Sequence, residues 1–98
     1  MTITQKKDGS VLIIALEGRL DTLTAPELEA ALKAALQGVT SLTLDLADLE
    51  YVSSAGLRVL LTAQKTMNAQ GKMTVKNVNE TIAEIFEVTG FSDILTVE

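Results

Sequence analysis

The stretch Asp48-Leu49-Glu50-Tyr51-Val52-Ser53-Ser54-Ala55-Gly56-Leu57-Arg58-Val59-Leu60-Leu61 lies where the hydrophobic period of the chain changes. Before it, Leu42, Leu44 and Leu46 alternate with Thr43 and Asp45, which predicts a strand over Ser41 to Leu46. After Val52, Leu57, Leu60, Leu61 and Met67 recur at helical spacing, and Gly71 closes the run. Two serines therefore stand where a strand and its loop give way to a helix. Serine is among the best N-cap residues, worth about 0.5 to 2 kcal/mol over alanine, so capping accounts for at least one of them. A helix N-terminus also receives phosphate well, because free N–H groups and the positive end of the dipole point at it. Phosphorylation there would add about −1.5 to −2 charge and could switch a contact without unfolding the domain. Gly56 admits either close helix-sheet packing or close approach of a partner.

Working outward, Ile3 to Lys7 reads as a strand, Asp8-Gly9 as a two-residue hairpin turn, and Val11 to Glu17 as a central strand buried on both faces. Gly18 to Asp21 reads as a loop. Thr24 and Glu27 have capping-box spacing, with Pro26 in the first turn, ahead of a helix whose core stripe is Leu28, Ala31, Leu32, Ala35 and Leu36. Met73 to Val78 reads as a fourth strand. A third helix, capped by Asn77 or Asn79, carries Ile82, Ile85, Phe86 and Thr89 on one face and stops at Gly90. Ile94 to Val97 reads as a short fifth strand. The fold class is α/β, a mixed β-sheet covered by helices in the order β-β-α-β-α-β-α-β.

With 98 residues, the chain has room for one domain spanning 1–98. It contains no Cys and no His, which removes the commonest metal ligands, Cys nucleophiles and His bases. Ser53 and Ser54 have no base at a telling spacing, and neither glycine-rich nucleotide motif occurs, so no catalytic residue, cofactor or metal is expected. The 8 basic and 13 acidic side chains give a net charge of −5, which disfavours nucleic acid. The N-terminus lacks an apolar signal region, and the longest apolar run, Val11 to Leu16, is too short for a membrane span. These features predict a soluble, cytoplasmic chain with no membrane insertion.

The quoted stretch, together with Leu16-Glu17-Gly18-Arg19-Leu20-Asp21, resembles the STAS domains of bacterial anti-sigma factor antagonists, and the element order extends the resemblance over essentially the whole chain. In that family a Ser before a small residue and Gly-Leu is phosphorylated by an anti-sigma factor that is also a serine kinase. Aligned on Gly56-Leu57, the acceptor falls on Ser54; Ser53, standing where many antagonists carry Asp, is the second candidate. The resemblance implies an anti-sigma factor kinase and a phosphatase as partners, with Asp21, Ser53, Gly56 and Arg58 on the partner-facing surface. Asp21 is equally a turn former, and Arg58 equally a cover for apolar surface. The family's closing helix should be absent or very short, since only Phe91 to Glu98 follow Gly90. A rival reading is a phosphorylation-independent STAS subunit of a lipid-transport ATPase complex.

Overall fold

The computed structural model describes residues 1–98, as β1 Thr2–Asp8, β2 Val11–Leu20, α1 Ala25–Ala35, β3 Ser41–Val52, α2 Ser54–Gln70, β4 Lys72–Lys76 and α3 Glu80–Thr89, closed by a 3-10 turn at Phe91–Asp93. The sheet order is β1-β2-β3-β4. β1 runs antiparallel to β2, whereas β2, β3 and β4 are parallel neighbours, so the sheet is mixed.

Side-chain alternation decides which face the helices cover. Leu12, Ile14, Leu16 and Leu20 of β2, Leu42, Leu44 and Leu46 of β3, and Met73 and Val75 of β4 all point into one core, shared with Leu28 and Leu32 of α1, Leu60 and Met67 of α2, and Ile82 and Phe86 of α3. The opposite row stays open: Val11 is 43% and Ile13 39% exposed. The expectation that β2 is buried on both faces is thus corrected. Its continuous apolar run fills the core on one side only, as is common beside an antiparallel pairing.

Other expectations change too: β2 continues through Leu20, so Gly18 to Leu20 is strand and not loop, and β4 ends at Lys76, not Val78. The hairpin loop is Gly9-Ser10, because Asp8 still pairs with Val11, and Gly9 supplies the positive φ of +61°. β3 runs to Val52, not Leu46. Opposite β2 it takes one extra residue between Asp45 and Asp48 and another between Leu49 and Tyr51, and these bulges break the alternation that marks a strand in the sequence. In place of a fifth strand there is one bridge, in which Val75 N donates to Thr96 O and Glu98 N to Val75 O, each at 2.8 Å. The 3-10 turn uses up the preceding residues.

The end of α2 is locked to the connection before β3. Gln70 Nε2 donates to the carbonyls of Leu36 and Val39, both at 2.6 Å, and Gly71 sits so tightly against the Thr40 carbonyl that a side chain would collide with it. No helix is long and apolar enough to cross a membrane.

Candidate functional site

The parallel strands β2 and β3 end side by side, and Ser53 N donates to Leu20 O across them at 2.8 Å. Ser53 then caps α2. Its backbone is extended, φ −91° and ψ 174°, and its Oγ accepts from Gly56 N at 3.2 Å. The capping role that the sequence left to either serine belongs to Ser53. Ser54, the first helical residue, is exposed, and its hydroxyl makes no hydrogen bond within the domain.

Gly56 is buried. A Cβ there would lie 2.6 Å from Leu20 Cγ, 2.9 Å from Leu20 O and 2.9 Å from Val52 Cγ2. Close packing of α2 onto the two strand ends therefore explains this glycine. It is not open to a partner, and its effect on the surface is to seat the helix that presents Ser54.

The loop after β2 holds a capping box one turn earlier than expected. Thr24 has helical backbone angles and no cap bond to the helix that follows. Instead Asp21 Oδ1 accepts from Leu23 N at 3.0 Å and Thr24 N at 3.1 Å, while Thr24 Oγ1 accepts from Asp21 N at 2.8 Å. This reciprocal Asp21–Thr24 pair supplants Thr24–Glu27, because Asp21 is the better acceptor for a chain turning directly off a strand. These bonds, the Thr24 backbone donor first, hold the Asp21 carboxyl below its usual range. Arg19 lies 3.9 Å from its other oxygen and stacks 4.5 Å over the Tyr51 ring. Asp21 thus builds the loop. What the loop offers outward is Leu23, 89% exposed, which the sequence reading passed over although it follows neither the strand nor the helix period.

On its other side Ser54 borders a shallow groove lined by Leu57, Arg58 and Leu61 of α2 and by Thr89 and Phe91. Arg58 is exposed, as expected. The structure therefore gathers Ser53, Ser54 and Arg58 at one helix start, joins the end of β2, from which the Asp21 loop leaves, to Ser53 through the Leu20–Ser53 bond, and adds Phe91 to the groove. The chemistry available is a free hydroxyl on a rigid, partly apolar surface. No group of three or more His, Cys, Asp or Glu is placed to hold a metal.

Away from this surface, Asp45 Oδ1 accepts from Asn77 Nδ2 and Ala47 N, both at 3.0 Å, fixing the turn after β4, where Asn77 has φ +59°. The Asn77 bond is the main reason the Asp45 carboxyl titrates below its usual value of 3.8. A carboxyl with a lowered folded pKa stabilises the fold above its unfolded pKa and loses that contribution as pH falls through the folded value. Asp45→Asn should therefore lower Tm by about 2 to 4 °C at pH 7, with the gap closing under acid conditions. Thermal melts across pH check this; a gap constant down to pH 2 would contradict it.

The family model described as "Mlab, STAS domain" matches residues 3–96. A relative in Bordetella bronchiseptica named "Putative anti-sigma factor antagonist BtrV" is 38% identical over 99% of this chain and 85% of its own length. Among solved structures, an anti-sigma factor antagonist from Mycobacterium paratuberculosis superposes with a TM-score of 0.88 at 23% identity, over 98% of this chain and 83% of that one. The Bacillus cell fate determinant SpoIIAA in its phosphorylated form does so with 0.77 at 19% identity, over 99% and 91%. The two solved structures share the fold.

Proposed function

The chain belongs to the STAS domain family and has anti-sigma factor antagonists as relatives over nearly its full length, and from that premise we propose a phosphorylation-controlled protein switch. Unphosphorylated, the domain binds an anti-sigma factor through the surface formed by the α2 start, Arg58 and the Asp21–Thr24 loop, and frees the sigma factor that the partner held. The partner, acting as a serine kinase, transfers a phosphoryl group to Ser54 Oγ. The added charge and bulk break the contact, and a phosphatase resets it. The domain itself performs no chemistry; antagonists are regulators, not enzymes.

The observation that carries this reading is the division of labour between the two serines. Ser53 is committed to Gly56 N, and Ser54 is exposed with its hydroxyl unengaged. Modifying Ser54 thus breaks no bond inside the fold. The phosphorylated form of a protein with the same fold supports it further.

A second reading is the constitutive STAS subunit of a lipid-transport ATPase complex, with which the general description of the matching family model, a STAS domain and not specifically an antagonist, is equally compatible. Affinity purification of the tagged chain from its own cells separates the two. The switch predicts an anti-sigma factor with a kinase fold among the captured proteins. A transporter ATPase captured in its place selects the second reading.

A further inference from the structure

α2 contains no carboxylate. Across Ser54–Gln70 its charged residues are Arg58 and Lys65, in a chain with 13 acidic side chains. Arg58 is exposed and belongs to no ion pair, whereas Arg19, Lys33 and Lys76 each have a partner. Four residues before it stands the free hydroxyl of Ser54. Positions i and i+4 are neighbours on a helix surface, about 5 to 6 Å apart at Cβ, and the order with the anion nearer the N-terminus is the more favourable one. Ser54 and Arg58 line the same groove, and none of its other lining residues, Leu57, Leu61, Thr89 and Phe91, carries a charge. The carboxylates on the bordering elements, Glu80, Glu84 and Glu87 of α3 and Asp93 of the 3-10 turn, form no ion pair with Arg58. Neither do those of α1 and β3, and β4 has none.

We propose that Arg58 is the intramolecular clamp for a phosphate on Ser54, so that phosphorylation both adds charge and withdraws from the partner-facing surface the one cation of its groove. This rests on Ser54 being the acceptor. The guanidinium offers a planar fork of donors that matches phosphate oxygens, which a lysine does not. The clamp therefore turns a surface that presents a free cation into one that presents a closed, net-negative pair.

The test needs no kinase: phosphoserine is installed at position 54 during synthesis of the full chain, and the phosphate is titrated by phosphorus NMR at low ionic strength. Its second pKa, ordinarily near 6, should lie about half a unit lower in the otherwise wild-type chain than in Arg58→Gln. Arg58→Lys should fall between them, and the gap should shrink at about 0.5 M salt. The helix dipole acts equally on all three chains and cancels in the comparison. Coincident titration curves for the wild type and Arg58→Gln would overturn the clamp while leaving Ser54 as acceptor untouched. Conversely, a lack of phosphate on Ser54 in cells would overturn the switch and not the pairing chemistry.

Discussion

Gly56→Ala is expected to lower stability by about 2 to 3 kcal/mol, and Tm by about 10 °C or more. The new methyl would sit 2.6 Å from Leu20 Cγ and 2.9 Å from both Leu20 O and Val52 Cγ2. The Leu20 side chain can rotate to relieve the first contact. The Leu20 carbonyl cannot, because it accepts from Ser53 N and so ties the ends of β2 and β3 together. Relief must come from lifting the first turn of α2, which also strains the bond between Ser53 Oγ and Gly56 N. The better helix propensity of alanine, at most about 1 kcal/mol, does not offset this. Thermal and denaturant melts measure the effect. A change within about 0.5 kcal/mol would show that α2 is not seated by this glycine.

Ser54→Asp should act in the opposite sense, leaving the fold intact and removing the interaction. The Ser54 hydroxyl bonds to nothing in the domain, and a carboxylate in the first turn of a helix is welcome to its dipole, so Tm should be unchanged or slightly raised. Placed at the centre of a partner contact, the same carboxylate must be desolvated and draws Arg58 away from the partner, which costs affinity heavily. Binding to the captured anti-sigma factor should weaken about 30-fold or more, mainly through faster dissociation, while Ser54→Ala stays within about threefold of wild type. Titration calorimetry or surface kinetics reads both numbers. Equal affinity for Ser54→Asp and wild type would place Ser54 outside the interface.

The elements whose residues carry a single clear period were legible in the sequence. Leu28 and Leu32 of α1, Leu60 and Met67 of α2, and Ile82 and Phe86 of α3 face the core as their spacing predicts, and Asn79 caps α3 by accepting from Ile82 N at 2.9 Å. What was not legible depends on groups distant in sequence or on competition between equivalent signals. Val11 and Ile13 are as apolar as Leu12 and Ile14, so nothing local shows that one row meets helices and the other water. Thr24-Pro26-Glu27 and Asp21-Thr24 both spell a capping box. The second wins because Asp21 leaves the β2 strand directly into a turn. The β3 bulges are set by pairing with β2, which the spacing Asp45 to Tyr51 does not reveal.

The site was legible in its chemistry and incomplete in its surface. Adjacent serines at a strand-to-helix junction marked the α2 start, and the structure separates the cap from the free hydroxyl. Gly56 and Asp21 proved to act inward, one by packing and one by capping. Phe91, which shares a groove with Ser54, comes from an element distant in sequence and meets it only once the fold is formed, while the exposed Leu23 belongs to the Asp21 loop.

The measurement that tests the switch most directly is phosphopeptide mass spectrometry of the protein isolated from its own cells, covering Ser53 and Ser54 in wild type, Ser53→Ala and Ser54→Ala. The account predicts one phosphate in wild type, kept in Ser53→Ala and lost in Ser54→Ala. Phosphate that persists in Ser54→Ala, or is absent from wild type under every growth condition, would contradict it.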